Sequence, residues 1–225
     1  MAASRTPPIL TPGEFQRLTD VSRETLARLR LYVRLLEKWQ RSINLVSRAS
    51  LRDVWRRHLL DAAQLARYIA NAGVGEDAGG SEGKSARAKT IVDLGSGAGF
   101  PGLVLAIMAA GEVHLVESDR RKCAFLGTVA RETAAKVTIH PLRIEALTPF
   151  VADIVTARAV APLVELIGYA EPFIGSRGQC LFLKGKRAAE ELTTAAQLWN
   201  MRVERFASAS DPSGVVVRLR EISRA

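Results

Sequence analysis

The chain has 225 residues, of which 48% are hydrophobic and 24% are charged, and this is the composition of an ordinary globular protein with one substantial α/β core. No run approaches the roughly 18 consecutive apolar residues of a membrane span, and residues 1–12 lack the apolar segment of a secretory signal. A cytoplasmic protein without membrane association is therefore expected, and its formal net charge of +9 favours an anionic partner.

The excess positive charge lies in the first third of the chain. Residues 1–70 carry thirteen Lys and Arg against six Asp and Glu, whereas the rest carries nineteen against seventeen. Twelve of the thirteen are Arg, whose planar guanidinium matches phosphate well. A basic segment beside a nearly neutral domain is typical of enzymes that act on nucleic acid; a solvated helix face that binds nothing is the alternative.

Two helices are predicted in this basic segment. Apolar residues recur at spacings of three and four over residues 22–42, and Ser22 is placed to cap that helix. A second helix is predicted from about Ser50 to Asn71, with Ser50 as its cap.

The segment that follows has a different composition. Residues 73–89 combine Gly, Ala, Ser and charged side chains without apolar periodicity, which predicts a flexible surface connection. The chain is accordingly divided into an N-terminal basic helical region at 1–72, this connection, and a Rossmann-like domain at 90–225.

From Lys89 onward, short extended runs alternate with helical ones, which predicts a mainly parallel sheet with helices on both faces. After a helix over Ala188–Trp199, the last two extended runs follow each other across the turn 208–213, so they should pair as an antiparallel hairpin. Five parallel strands and a terminal hairpin are the layout of a class I S-adenosylmethionine-dependent methyltransferase. The predicted strands are Thr90–Leu94, Val113–Glu117, Val137–His140, Asp153–Thr156, Gln179–Lys184, Met201–Ala207 and Gly214–Ile222. The other predicted helices begin near Pro101, Arg120, Glu145 and Pro162.

A glycine-rich turn follows the first of these strands. Glycines at alternate positions let the backbone turn sharply and approach a ligand closely. Gly97, Gly99 and Gly102 match the GxGxxG pattern of dinucleotide-binding enzymes, and Glu117 follows 20 residues after Gly97, where such an enzyme places its ribose-binding acid. A nicotinamide-dependent oxidoreductase is therefore one interpretation of this turn.

Asp93 favours S-adenosylmethionine instead. Its carboxylate comes just before the glycines, where it would repel a pyrophosphate and attract the ammonium of S-adenosylmethionine. Asp93, Gly95, Gly97 and Glu117 are therefore predicted to belong to one cofactor site, with Glu117 accepting hydrogen bonds from the ribose hydroxyls and Asp119 as a rival for that role. A valine at Gly95 is expected to abolish cofactor binding without unfolding the protein.

The fourth strand lacks the Asn/Asp-Pro-Pro-aromatic tetrad of enzymes that methylate exocyclic amines. Neither Cys123 nor Cys180 is placed as the nucleophile that carbon methylation needs, and the lack of CxxC spacing and paired histidines argues against a metal site. A ring nitrogen such as guanine N7 needs no proton removed, so positioning and desolvation suffice. Arg158, just past the strand, is a candidate for holding a base edge or a phosphate, with a surface ion pair as its alternative.

A second set of residues is predicted to contact RNA. Four of them fall in one seven-residue stretch of the second predicted helix and are expected to form a joint positive patch. The fifth is the last residue of the fifth predicted strand. The predicted RNA-binding residues are Arg52, Arg56, Arg57, His58 and Lys184. For His58, a hydrogen bond to Asp61 within the helix is an equally open interpretation.

Several motifs occur in a fixed order between Leu26 and Lys186. They are the glycine-rich turn and the runs Ile43–Val46, Arg57–Asp61, Arg121–Leu126, Thr156–Ala159 and Leu183–Gly185. Together they resemble the bacterial ribosomal RNA small-subunit methyltransferase G family, also called glucose-inhibited division protein B.

The resemblance implies transfer of a methyl group to N7 of a guanine in small-subunit (16S) ribosomal RNA, either free or in an assembling ribosomal subunit. It also implies the cofactor positions Gly95, Phe100, Ile144, Glu145 and Arg158. A methyltransferase-like protein that binds RNA without catalysis remains a further alternative.

Overall fold

The computed structural model describes residues 8–70 and 87–225. Most of the predicted connection at 73–89 therefore lies outside the described residues, and the predicted domain boundaries stay a prediction. Of that segment, Arg87 is described, and its guanidinium pairs with Asp153 at 2.8 Å. Within the described ranges, no helix is long and apolar enough to cross a membrane.

A seven-stranded sheet has the order β3-β2-β1-β4-β5-β7-β6. The first five strands are parallel, β7 runs antiparallel to β5, and β6 pairs antiparallel with β7. The predicted parallel sheet and terminal hairpin are thus confirmed. The strands are β1 Thr90–Leu94, β2 Glu112–Val116, β3 Val137–His140, β4 Ala152–Arg158, β5 Ile174–Lys184, β6 Trp199–Ala207 and β7 Val215–Arg224.

Helices cover both faces of this sheet. One hydrophobic cluster joins the N-terminal helices to α6, α7 and one sheet face, and a second joins α8, α9 and the other face. The N-terminal helices therefore share a core with the sheet. The α-helices of the described residues are α1 Pro12–Thr19, α2 Arg23–Trp39, α3 Arg48–Leu51, α4 Asp61–Ala63, α5 Ala66–Ala70, α6 Gly102–Ile107, α7 Arg120–Glu132, α8 Leu163–Ala170 and α9 Ala188–Ala195.

The first predicted helix corresponds to α2, and Ser22 caps it by accepting a hydrogen bond from the Thr25 amide. Helix α1 was not predicted, although Thr11 and Glu14 form a capping box at its start. The helix predicted near Glu145 is only the single 3₁₀ turn Ile144–Ala146. Helix α9 ends early because Trp199 already belongs to β6.

The second predicted helix is broken, and its cap is Ser47 rather than Ser50. Its centre is a π-helix, Trp55–Leu60, in which the Asp61 amide reaches back five residues to the Arg56 carbonyl. The extra residue in this turn rotates the side chains after it around the helix axis. The spacing of three and four residues used for the sequence prediction therefore does not hold here. Single π-turns of this kind are frequent at functional sites.

The sheet order reverses between β1 and β4. In open α/β sheets, ligands bind outside the carboxyl ends of the strands at such a switch point. The glycine-rich turn follows β1, and Arg158 ends β4. Both therefore stand at the expected ligand-binding edge.

Candidate functional site

The glycine-rich turn is held by its neighbours in the sheet. The Ser96 amide donates to the carbonyl of Val116 at the end of β2 (2.9 Å), and the Gly97 amide donates to the Glu117 carboxylate (2.8 Å). The other oxygen of that carboxylate accepts from the Asp119 amide at 2.7 Å. Glu117 is thus fixed beside the turn, whereas Asp119 is used as the N-cap of α7.

Asp93 is fully buried beneath the turn and lines neither of the cavities described below. Its carboxylate accepts hydrogen bonds from the Thr156 hydroxyl (2.8 Å) and the Gly102 amide (3.1 Å). Thr156 is its register partner on β4. Desolvation raises the pKa of Asp93 to about 6, despite the hydrogen bonds that lower it.

Glycine is needed at different positions of the turn for different structural reasons. Gly95 and Gly97 both have positive φ angles, +62° and +57°. A Cβ at Gly95 would collide with Val160 at 2.8 Å. A Cβ at Gly97, which lines a cavity, would have only the Gly95 carbonyl oxygen within 4 Å, at 3.8 Å. Gly102 permits close packing, since a Cβ there would lie 2.7 Å from Asp93 Cβ.

Two cavities meet at Gly95 and Glu117. The smaller, of about 240 Å³, is lined by Leu142, Ile144 and Glu145 among others. The larger is a cleft of about 500 Å³ that runs from the glycine-rich turn past the π-helix to the loop between β6 and β7. We call it the main cleft.

Phe100 stands at the centre of an aromatic stack beside the main cleft. The ring of Tyr32 stacks on one part of it at a centroid distance of 5.3 Å, and the imidazole of His58 stacks on it at 4.8 Å. The Tyr32 hydroxyl also donates to the carbonyl of Ala98. The basic helical region therefore contacts the glycine-rich turn directly.

Arg158 reaches across the same cleft to the π-helix. Its guanidinium carbon lies 5.2 Å from the centroid of the Phe100 ring. Its Nη1 donates to the Arg57 carbonyl at 3.0 Å and lies 3.4 Å from the Asp61 carboxylate, while Nη2 donates to Nδ1 of His58 at 2.6 Å.

His58 is buried and neutral. Desolvation, followed by the positive charges of Arg158 and Arg57, lowers its pKa to about 3. Because a guanidinium only donates, Nδ1 of His58 must be the acceptor, so the ring proton lies on Nε2 and is donated to the Ser50 hydroxyl at 2.9 Å. The alternative hydrogen bond to Asp61 is not formed; Asp61 instead accepts from Ser210 and Gln64.

The five predicted RNA-binding residues do not form one surface. Arg57, His58 and Lys184 line the main cleft. Arg52 is exposed after α3, and Arg56 turns away to Asp53 (3.2 Å) and the Pro8 carbonyl (2.8 Å). Arg56 and Arg57, although adjacent in the chain, therefore have different partners, and only Arg57 faces the cleft.

The predicted cofactor residues fare better: all except Asp93 line at least one of the two cavities.

Several cleft residues were missed by the sequence interpretation. Asp61, Ser210 and Asp211 line the main cleft, and Lys122 reaches it from α7. The sequence around Asp211 indicates only a turn, so it contains no signal for this placement. Across the described part of the chain, no group of three His, Cys, Asp or Glu side chains is arranged to hold a metal ion.

Comparison with known proteins agrees with the sequence resemblance. A family model described as rRNA small subunit methyltransferase G matches residues 25–213. The ribosomal RNA small subunit methyltransferase G of Paramagnetospirillum magneticum is 53% identical, with 95% of this chain and 97% of the relative aligned. The protein of that name from Rhodospirillum rubrum is 50% identical over 96% of this chain and 100% of its own.

Solved structures share the fold at low identity. Magnesium protoporphyrin IX methyltransferase from Synechocystis PCC 6803, solved with bound SAM, is 14% identical with a TM-score of 0.54, covering 89% of this chain and 98% of its own. TYW2 of M. jannaschii, solved with AdoMet, is 16% identical with a TM-score of 0.52, covering 73% and 77%. The class I methyltransferase fold is thus confirmed, and, given the family match over most of its length, the chain belongs to the rRNA small subunit methyltransferase G family.

Proposed function

We propose that this protein transfers a methyl group from S-adenosylmethionine to N7 of a guanine in 16S ribosomal RNA. The observation that carries the proposal is the main cleft, in which the glycine-rich turn meets Arg57 of the basic N-terminal region and the cations Lys122, Arg158 and Lys184 of the sheet domain. Family membership favours this function over a nicotinamide-dependent oxidoreductase.

The two adjoining cavities fit the parts of the cofactor. Ile144 is a half-buried apolar residue and Glu145 an exposed carboxylate in the smaller cavity, so they suit packing on and hydrogen bonding to an adenine. Glu117 stands where the cavities meet, and a carboxylate that already accepts two hydrogen bonds retains further acceptor positions for ribose hydroxyls. The bare backbone at Gly97 lets the cofactor's amino-acid end approach the turn.

Asp93 supports this site from a buried position beneath the glycine-rich turn. It secures the start of α6 through the Gly102 amide and secures β4 through Thr156. Its ionised form also places a negative charge beneath a turn that would face the ammonium and sulfonium of the cofactor. We therefore assign it a positioning and electrostatic role rather than a direct contact.

The chemistry demands little proton transfer from the protein. When bound, S-adenosylmethionine supplies an activated methyl group on a positively charged sulfur. The N7 lone pair of guanine is already free, so the chain has to hold the base in line and exclude water. His58 is suited to fixing Arg158 rather than to acting as a base, because both of its ring nitrogens are engaged.

The cations of the main cleft suit the phosphates around the target nucleotide. Arg57 lines it with a half-exposed side chain, Arg158 and Lys184 add positive charge from the ends of β4 and β5, and Arg52 lies exposed after α3. Such a surface binds a polyanion through phosphate neutralisation. An assembling small subunit is the proposed substrate particle, and a ribosomal substrate implies that the enzyme works in the cytoplasm.

Methyl transfer to three RNA substrates tests the function. Purified protein and labelled S-adenosylmethionine are incubated with free 16S ribosomal RNA, partly assembled subunits and mature subunits, all lacking the modification. We expect N7-methylguanosine in the digested RNA, identified by mass spectrometry. Label at another atom, or cofactor binding without any transfer, would contradict the proposal, and the second result would favour the non-catalytic alternative. Calorimetry with S-adenosylmethionine and NAD separates the oxidoreductase alternative.

A further inference from the structure

Three cations of the main cleft are each held by a carboxylate. Arg57 pairs with Asp211 (2.5 Å), Arg158 with Asp61 (3.4 Å) and Lys184 with Glu191 (2.6 Å). The pairs differ in exposure: the side chains of Arg57 and Asp211 are 48% and 29% exposed, against 20% and 16% for Arg158 and Asp61. Exposed ion pairs are weak and exchange partners readily. The Arg57–Asp211 pair is therefore the one that an incoming ligand can open.

Asp211 does not depend on Arg57 for its position. Its Oδ1 accepts hydrogen bonds from the amide and the hydroxyl of Ser213, at 2.9 and 2.8 Å, which leaves Oδ2 for Arg57. The Ser213 amide, and next the guanidinium of Arg57, lower the pKa of Asp211. The carboxylate therefore stays ionised at neutral pH and keeps its place when Arg57 moves.

The loop that carries Asp211 is anchored to the helix beside it. The Ala209 amide donates to the side-chain oxygen of Gln64 (2.8 Å), and the Ser210 hydroxyl donates to Asp61 (2.6 Å). The Gln64 amide group in turn donates to the Ser208 hydroxyl at 3.2 Å. The loop is thus a fixed wall of the main cleft, so an anion that takes Arg57 would remain close to the charge of Asp211.

The carboxylates of the main cleft are not equally available to a substrate. Asp61 accepts from Ser210, Gln64 and Arg158, and Glu117 is held against the glycine-rich turn. Asp211 is more exposed than either of them and, once Arg57 leaves, has a free acceptor oxygen. It is the best-placed carboxylate of the cleft for a hydrogen-bond donor of the substrate.

Guanine has hydrogen-bond donors on one edge that such a carboxylate can accept. Its N7 must face the methyl group, which places the base with that side toward the glycine-rich turn. The N1–H and N2–H₂ donors lie on the opposite side of the purine and so face another wall of the cleft. Enzymes that modify a single base commonly read it through hydrogen bonds to this Watson–Crick edge.

We propose that Asp211 is the specificity-determining residue for guanine, with its Oδ2 exchanging Arg57 for an N1–H or N2–H₂ donor of the target base. Arg57 then takes a neighbouring phosphate. When an RNA offers only a phosphate to Arg57, Asp211 is left as an unpaired anion close to that phosphate, so binding of such RNA is weakened. A guanine in the cleft gives Asp211 a hydrogen-bond donor in place of Arg57. This proposal rests on the proposed function, since it names the recognition of the same substrate.

Asp211→Asn tests the exchange because it removes the charge and keeps an oxygen for Ser213. We expect poly(U) to bind about fivefold more tightly, since one like charge beside a phosphate disappears. The salt slope should steepen by about 0.7, since Arg57 becomes free for one more phosphate of a single strand. Methylation of the small-subunit substrate should fall by about tenfold or more in kcat/KM, since a charged hydrogen-bond acceptor is lost.

The matched control is Glu132→Gln. This substitution also removes one negative charge from an exposed ion pair, since Glu132 lies 3.3 Å from Arg131. Glu132 is about 15 Å along α7 from Lys122, the residue of that helix that lines the cleft. Both its RNA affinity and its methylation rate should match wild type. The double variant Arg57→Gln with Asp211→Asn should lose the gain in poly(U) affinity.

The opposite signs of the two effects make the test decisive. A purely structural role for Asp211 would weaken poly(U) binding and methylation together. Poly(U) affinity no higher than that of Glu132→Gln, or undiminished methylation, overturns the proposal. Failure of the wild-type protein to methylate any substrate would instead refute the proposed function. Should Asp211→Asn not fold, Asp211→Ser, which also favours such turns, carries the same expectations.

Discussion

Replacing Gly97 by alanine tests the cofactor site most directly. Its φ of +57° is left-handed, so an alanine there costs about 1–2 kcal/mol of folding free energy. For a chain of this length, each kcal/mol lowers Tm by about 2–4 °C, so a loss of about 2–8 °C is expected. Gly97 lines the main cleft, so a methyl group there takes space from the cofactor, and we expect S-adenosylmethionine affinity measured by calorimetry to fall at least about tenfold, or 1.4 kcal/mol.

Gly127→Ala is the matched control for this substitution. Gly127 lies inside α7, and a Cβ there makes only an ordinary contact with Ile139 at 3.8 Å. It should raise stability by up to about 1 kcal/mol and leave cofactor affinity unchanged. Gly95→Val is a poorer test than the sequence suggested, because the collision with Val160 would also disturb the fold. Wild-type cofactor affinity in Gly97→Ala would refute the assignment of the glycine-rich turn as the cofactor site.

Three further predictions concern ionisable groups. Burial raises the pKa of Asp93 from 3.8 to about 6, so the folded state favours the protonated carboxyl group. Its contribution to the free energy of unfolding is therefore largest below pH 4 and falls by about 3 kcal/mol as the pH rises through 6. Urea unfolding of wild type and Asp93→Asn should show a stability difference that changes by this amount between pH 4 and 7, and a constant difference would contradict the buried charge. The imidazole of His58 should show no titration by NMR between pH 5 and 8, because its pKa lies near 3; a midpoint near 6.5 would contradict its burial. Arg57→Ala should weaken binding of the small-subunit ribosomal RNA substrate and lower the magnitude of its salt slope by about one, whereas Arg131→Ala, outside the cleft, should change neither.

Much of the fold was predictable because it depends on local patterns. The five residues of β1 are all buried, as a central parallel strand requires, and its β-branched and apolar residues around Asp93 identify it in the sequence. The glycines that follow it have positive φ angles, which is the reason their residue type is recognisable. Element boundaries were less accurate: β5 starts at Ile174, five residues before the predicted start, because β-propensity says little about where pairing begins.

The candidate site was only partly predictable. Residues tied to the glycine-rich turn, such as Glu117, follow from their spacing along the chain. The partners of His58 do not, since one is Ser50 in the same segment and the other is Arg158, 100 residues away. Periodicity assumed a regular helix through this region and so placed Arg52, Arg56 and Arg57 on one patch, whereas Arg56 pairs with Asp53 and only Arg57 lines the main cleft.

The sequence by itself determined the class of protein: the alternation of strands and helices, the glycine-rich turn, and the motifs by which the chain resembles its family. These features lie within short stretches, where backbone preference and spacing decide the structure. The tertiary structure alone decided that Asp93 is buried under the turn rather than exposed to the ligand, and that Asp211 forms a wall of the same cleft. Both placements depend on contacts between residues far apart in the chain, and those contacts form only when the sheet brings its strands together.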